Sequence, residues 1–120
     1  MRVLAFACGR TALKFGFWSL GMEAGQALLV PDYVCEVVWH PALQAGLRIV
    51  TYPVRDDLSP DWAALREIQV RERARAVLMV HYFGQPQDIA KFRRFSDEFG
   101  LHLIEDNAHG YGGALNGEAL

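Results

Sequence analysis

The chain has 120 residues, of which 52% are hydrophobic, enough to build the core of one domain. Its net charge of −2 and its pI of about 6.0 leave no excess of lysine and arginine, so nucleic-acid binding is not expected. Two cysteines, Cys8 and Cys35, are too few for a disulfide framework, and no stretch is apolar enough to cross a bilayer. These features favour a cytoplasmic protein that does not bind membranes.

Short apolar runs alternate with longer segments of helical periodicity along the whole chain. The apolar runs predict strands at 3–7, 27–30, 47–52, 76–80 and 101–104. Helices are predicted between them, at about 9–20, at 34–45, from 59 onward, and from 86 to 99. Strands separated by helices pair in parallel through right-handed crossovers, so we expect a three-layer α/β/α fold with a mainly parallel sheet.

Three residues with helix-starting preferences mark the third helix. Ser59 is predicted to cap it, Pro60 fits its first position, and Asp61 suits the positive end of the helix dipole. In the second helix, Pro41 is expected to kink or divide the segment. The glycine-rich stretch 112–120 is typical of a hairpin or loop that continues, and the first predicted strand starts with the chain. We therefore expect residues 1–120 to be part of a larger domain.

An acid pair follows the last predicted strand, in the sequence Glu105-Asp106-Asn107-Ala108-His109-Gly110. Ligands of open α/β sheets bind at the carboxyl ends of the strands, so a carboxylate there is placed to meet a cation. One such cation is the protonated ring nitrogen of a pyridine cofactor such as pyridoxal phosphate. The alternatives are that Asp106 caps the next turn and that His109 is a core histidine with its hydrogen bonds satisfied.

A second motif, Cys8-Gly9-Arg10-Thr11-Ala12, joins a predicted strand to a helix. The free N–H groups at a helix start attract anions such as phosphate, although an ordinary helix start has the same composition. Two further strand ends carry aromatic residues, Tyr33 near Cys35 and Tyr82 next to His81. His81 and Tyr82 are candidates for the mouth of a pocket, and Cys35 is expected to be a small buried hydrophobic residue. The spacing of His81, Asp106 and His109 matches no zinc signature, so no metal site is predicted.

The order of these motifs resembles the DegT/DnrJ/EryC1/StrS aminotransferases, which are pyridoxal-phosphate-dependent sugar aminotransferases of fold type I. The resemblance lies in Gly-Arg-Thr-Ala-Leu, Leu-Val-Pro-Asp-Tyr, Val-His-Tyr-Phe-Gly-Gln-Pro-Gln-Asp and Ile-Glu-Asp-Asn-Ala-His-Gly, and it spans about residues 7–117. It implies that residues 1–120 are the N-terminal part of the cofactor-binding large domain. It also implies a homodimer that moves an amino group from glutamate or glutamine to a nucleotide-linked keto sugar.

The resemblance assigns roles to individual residues. Thr11 and Ala12 would hold the cofactor phosphate through backbone amides, Asp106 would pair with the pyridine nitrogen, and His109 would lie near the ring hydroxyl. Cys35 occupies a position where the family often has an aromatic residue stacked on the ring, and Tyr33 is a possible substitute. Asn107 replaces the usual small residue after the aspartate.

The family's Schiff-base lysine lies beyond the end of this sequence. The lysines present, Lys14 and Lys91, fall on predicted helices and do not match that position. We therefore expect these 120 residues not to transaminate alone. Some relatives are dehydratases with histidine in place of the lysine, and the sequence leaves that possibility open. The other alternative is a non-catalytic, flavodoxin-like module that binds a phosphate-bearing ligand or a partner protein.

Overall fold

The computed structural model describes residues 3–119. Within these residues, four helices alternate with the strands of a four-stranded sheet, and a short hairpin follows them. Short 3₁₀ turns at Glu36–Val38 and Tyr82–Gly84 precede the second and fourth helices. The elements in chain order are α1 (Gly9–Ser19), β1 (Ala27–Pro31), α2 (Trp39–Gln44), β2 (Arg48–Tyr52), α3 (Trp62–Glu72), β3 (Ala76–Val80), α4 (Ile89–Phe99), β4 (His102–Asp106), β5 (Ala114–Leu115) and β6 (Glu118–Ala119).

The main sheet is parallel and has the strand order β2-β1-β3-β4. Every residue of the two central strands, β1 and β3, is buried, which explains why both read as continuous apolar runs. At the carboxyl end of the sheet, Val80 of β3 lies beside Asp106 of β4. The predicted parallel α/β architecture is confirmed.

Helices cover both faces of the sheet and create two separate cores. Phe17 of α1 and Ala42 of α2 pack on one face, against residues such as Leu28 of β1. Leu65 of α3 and Phe92 of α4 pack on the other face. Successive side chains of a strand point to opposite faces of the sheet, so the side chains of the last two residues of β4 lie on opposite faces. No helix between residues 3 and 119 is long and apolar enough to span a bilayer.

The prediction of a first strand at 3–7 was wrong. The segment has no strand geometry, and Val3 and Leu4 are 78% and 76% exposed. No other strand in the described part of the chain pairs with it, and an apolar run without a pairing partner does not form a strand. The second helix is divided as expected. Its α-helical part starts at Trp39, so Pro41 lies in the first turn, where its missing N–H costs nothing.

The start of the third helix also differs from the prediction. Asp61, not Ser59, is its N-cap, and one carboxylate oxygen accepts hydrogen bonds from the backbone of Ala63 and Ala64 at 3.1 Å each. Ser59 instead donates its hydroxyl to Asp57 at 2.5 Å. Pro60 lies before the helix, in an isolated bridge to Val54. The predicted hairpin near the end of the chain is present as β5 and β6.

Candidate functional site

Asp106 is the last residue of β4, so the strand extends two residues beyond its predicted end. The half-buried carboxylate lies on the face covered by α1 and α2. Its Oδ1 atom accepts a hydrogen bond from the backbone N–H of Ala108 at 3.0 Å. Within residues 3–119 its other oxygen has no hydrogen-bond partner, so Asp106 both caps the following turn and retains a free acceptor.

The start of α1 lies across a cavity from Asp106. This cavity has a volume of about 700 Å³, and its lining includes Gly9, Arg10 and Ala12 together with Asp106. The N–H of Ala12 donates to the carbonyl of Cys8 at 3.2 Å, so it already has a partner. The preceding amides of α1 are those that a helix leaves without an internal acceptor. A carboxylate and a helix N-terminus therefore face one cleft, as the strand-end hypothesis requires.

Sequence reasoning gave Cys8 no role, yet it lies at the edge of this cleft. It is the N-cap residue of α1, and its exposed Sγ is 3.3 Å from the hydroxyl oxygen of Thr11. The Thr11 hydroxyl, followed by the Thr11 backbone amide, lowers the pKa of the Cys8 thiol to about 7. Thr11 itself lines a neighbouring groove with Lys14 and His40. The sequence signal for this position was a cysteine directly before Gly-Arg-Thr at a predicted helix start.

A second cavity, of about 590 Å³, adjoins the first and shares Asp106 with it. Tyr33, Cys35 and His109 line it, so the structure gathers the residues that the resemblance assigned to the ring face and ring hydroxyl. Cys35 is exposed, which corrects the expectation that it is buried. Tyr33 is 56% exposed, and its ring packs against that of Tyr82 at a centroid distance of 5.6 Å.

The loop after β3 orients His109. Its Nδ1 atom accepts a hydrogen bond from the backbone N–H of Phe83 at 3.3 Å, and the two rings stack with centroids 5.7 Å apart. Nδ1 is therefore an acceptor, which leaves Nε2–H as the donor of the neutral ring. Gly84 also approaches closely, because a Cβ atom there would lie 3.2 Å from the carbonyl oxygen of His109. His109 is exposed and is not the core histidine of the alternative interpretation.

The structure also places His81, Tyr82 and the two lysines of the chain. Tyr82 lines the second cavity, but His81 is completely buried and does not lie at its mouth. No cluster of three potential metal ligands occurs in the described part of the chain. Lys14 lies over the ring of Trp18 and Lys91 over that of Trp62, and neither lysine lines the two cavities that contain Asp106.

Asn107 leaves an unpaired group in the first cavity. Its Oδ1 atom is buried and has no hydrogen-bond partner among residues 3–119. Buried polar atoms normally have partners, so this unpaired oxygen is an exception, and it belongs to a residue that lines the cleft. Asn107 therefore makes the cleft beside Asp106 more polar than a small residue at this position would.

Comparison with known proteins identifies the family. The model of the DegT/DnrJ/EryC1/StrS aminotransferase family matches residues 1–120. The chain belongs to this family. It is 30% identical over 112 residues to a dTDP-3-amino-3,4,6-trideoxy-alpha-D-glucose transaminase from Streptomyces venezuelae, covering 93% of the chain and 30% of the relative. A GDP-perosamine synthase from Vibrio cholerae shows the same identity and coverage.

Two solved structures have the same fold. DesV from S. venezuelae, solved with a ketimine intermediate, matches 85% of this chain and 28% of its own with 30% identity and a TM-score of 0.76. The aminotransferase TlmJ from Streptoalloteichus hindustanus matches 93% of this chain and 30% of its own, with 26% identity and a TM-score of 0.81. These relatives do not favour a non-catalytic flavodoxin-like module. The chain spans about 30% of the length of the curated relatives it matches.

Proposed function

We propose that residues 1–120 form the cofactor-binding part of a pyridoxal-phosphate-dependent sugar aminotransferase. The complete enzyme would move an amino group from glutamate or glutamine to a nucleotide-linked keto sugar, as a homodimer in the cytoplasm. The observation that carries the proposal is that Asp106 and the start of α1 line one cavity. The named relatives support the substrate class, since one is a dTDP-amino-sugar transaminase and another a GDP-perosamine synthase.

The groups around the cleft fit pyridoxal phosphate. Asp106 keeps one carboxylate oxygen without a partner in the described range, which suits a protonated pyridine nitrogen. The N–H groups in the first turn of α1, from Gly9 to Thr11, suit a phosphate, and the helix dipole favours a negative charge at this end of the helix. His109 lines the second cavity, and its Nδ1 accepts from Phe83, which leaves its Nε2–H as the group that suits the ring hydroxyl. When bound, pyridoxal phosphate supplies a ring that withdraws electrons from the substrate.

Each of these residues has a defined task in the proposal. Asp106 would hold the proton on the pyridine nitrogen through a charge-assisted hydrogen bond, which is roughly twice as strong as a neutral one. Thr11 and Ala12 would anchor the phosphate at the start of α1, Ala12 from the lining of the first cavity and Thr11 from the neighbouring groove. His109 would donate to the ring hydroxyl, and Tyr33 and Cys35 would contact the ring from the second cavity, which all three residues line.

The proposed site needs a lysine that residues 1–120 do not supply. Lys14 and Lys91 are engaged with tryptophan rings away from the two cavities, so neither is placed to hold the cofactor covalently. We therefore propose that the 120-residue chain does not catalyse transamination without the remainder of the enzyme.

The test is an amino-transfer assay on the full-length enzyme, with glutamate or glutamine as donor and dTDP- and GDP-linked keto sugars as acceptors. The wild-type enzyme should aminate one of these sugars. Asp106→Ala should nearly abolish turnover while the far-ultraviolet circular dichroism spectrum stays unchanged. Full turnover by Asp106→Ala would contradict the role of Asp106, and a wild-type enzyme that binds no pyridoxal phosphate would contradict the proposed function.

A further inference from the structure

His81 is a buried titratable group to which the proposed function gives no task. It directly follows β3, and its side chain is 0% exposed. The Nδ1 atom accepts a hydrogen bond from the backbone N–H of Gln87 at 2.9 Å, and Nε2 lies 2.7 Å from Oε1 of Glu105. Because a backbone N–H can only donate, Nδ1 must be an acceptor. This network assigns the proton to Nε2, which donates it to the Glu105 carboxylate.

The same residue also holds the backbone at the end of β4. The N–H of His81 donates to the carbonyl of Asp106 at 3.0 Å. Glu105 and Asp106 are consecutive, and their side chains point to opposite faces of the sheet. His81 therefore holds the last two residues of β4 at two points, through its backbone to Asp106 and through its ring to Glu105.

The end of β4 has few other constraints. In the described part of the chain, β4 pairs only with β3, and its last paired residue is Asp106 itself. The loop after β3 is tied down separately, because the side-chain amide of Gln87 donates to the carbonyl of Leu58 at 2.9 Å. Through its bond to Gln87, the ring of His81 connects this fixed loop to the strand that carries Asp106.

We propose that His81 is a positioning residue for Asp106, acting through the hydrogen bond from its Nε2–H to Glu105. The bond fixes the end of β4 and so holds the Asp106 carboxylate at the cavity shared with α1. The inference rests on the proposed function, since it takes the cofactor nitrogen as the partner of Asp106. A displacement of about 1 Å at a reacting group can lower the rate about 10²-fold, so small movements of this strand end matter.

Two substitutions at His81 separate its two side-chain hydrogen bonds. The amide of His81→Gln reaches about as far as Nε2 and keeps a donor for Glu105. The shorter His81→Asn keeps an acceptor for the Gln87 N–H but loses the donor to Glu105. Two substitutions at the exposed partner test the same bond without a change in the core: Glu105→Gln keeps the acceptor, and Glu105→Ala removes it.

The measurements use the full-length enzyme with pyridoxal phosphate labelled with ¹⁵N in the ring. The ¹⁵N chemical shift reports whether the pyridine nitrogen is protonated, and it does not respond to a general loss of stability. The dissociation constant of the cofactor and the melting temperature are measured on the same samples. Tyr52→Phe is the matched control, because it removes another buried hydrogen bond of this sheet, the 2.7 Å bond to the carbonyl of Leu78.

We expect His81→Asn and Glu105→Ala to shift the ¹⁵N resonance toward the unprotonated value and to lower kcat/KM by about 10²-fold. His81→Gln and Glu105→Gln should keep the wild-type resonance, as should Tyr52→Phe, even where the melting temperature falls. If His81→Asn does not fold, the comparison of Glu105→Ala with Glu105→Gln decides the outcome. A wild-type resonance in Glu105→Ala would overturn the inference and leave the proposed function intact. A wild-type enzyme that fails to bind pyridoxal phosphate would instead overturn the proposed function and this inference with it.

Discussion

The ionisation of Cys8 can be changed by a single substitution at Thr11. The Thr11 hydroxyl is the largest cause that lowers the pKa of Cys8 to about 7, and its oxygen lies 3.3 Å from Sγ. Thr11→Val removes the hydroxyl and keeps the shape of the side chain. We expect the pKa of Cys8 to rise toward about 8.5, the ordinary value of a thiol.

The size of the effect follows from the two pKa values. At pH 7 a thiol with a pKa of about 7 is roughly half ionised, whereas one with a pKa of about 8.5 is about 3% ionised. The more basic thiolate is intrinsically more reactive, by roughly fivefold over this range. The rate of alkylation of Cys8 at pH 7 should therefore fall only about threefold, while the midpoint of its pH dependence moves up by as much as about 1.5 units.

The assay is alkylation by iodoacetamide between pH 5.5 and 10, in a Cys35→Ser background so that only Cys8 reacts. Thr11→Ser keeps the hydroxyl and should keep the midpoint near 7. Because the folded pKa is lower than the unfolded one, the unfolded chain binds more protons between about pH 7 and 8.5. The contribution of Cys8 to stability therefore grows with pH in that window and is lost as the pH falls through 7. A wild-type midpoint near 8.5, or a midpoint unmoved by Thr11→Val, would refute the argument.

Three further predictions concern the fold and the lysines. Asp61→Ala should lower the free energy of unfolding by about 1 kcal/mol, because it removes the N-cap of α3. Ser59→Ala should lower it by less, and urea denaturation of both variants measures the two changes. In the same assay, Phe92→Ala should lower the free energy of unfolding by about 3–5 kcal/mol, since the residue is 1% exposed in the core beneath α4. A loss below about 1 kcal/mol would show that this core is loosely packed. The 120-residue chain mixed with pyridoxal phosphate and borohydride should yield no specific adduct at Lys14 or Lys91, which peptide mass spectrometry can determine.

Much of the fold could be predicted from sequence because local patterns and tertiary burial agree. The central strands are apolar throughout, and the stripe of Phe92 and Phe95 on α4 faces the core as its helical spacing indicates. The strand predicted at 3–7 failed because an apolar run carries no information about a pairing partner. The cap of α3 was misplaced because Ser59 and Asp61 both suit an N-cap, and only the backbone geometry chooses between them.

The residues of the candidate site could be predicted from the sequence more readily than the hydrogen bonds between them. The placement of Asp106 at a strand end and of Thr11 at a helix start was predictable from the local sequence. The start of α1 shares one cavity with Asp106 through Gly9, Arg10 and Ala12, whereas Thr11 lines the neighbouring groove. The burial of His81 and its bond to Glu105 depend on a loop conformation that no local pattern specifies. The loop includes Phe83 at a φ of 53°, a left-handed conformation that is unusual for a side chain of this size.

The most direct test of the account is the protonation state of the cofactor nitrogen that we propose as the partner of Asp106. In the full-length enzyme reconstituted with ring-¹⁵N pyridoxal phosphate, the wild type should give the resonance of a protonated pyridine. Asp106→Asn should give the unprotonated resonance and bind the cofactor roughly 10- to 150-fold more weakly, because a hydrogen bond to a charged group contributes about 1.5–3 kcal/mol. The same protonated resonance and affinity in both proteins would contradict the claim that this carboxylate holds the ring.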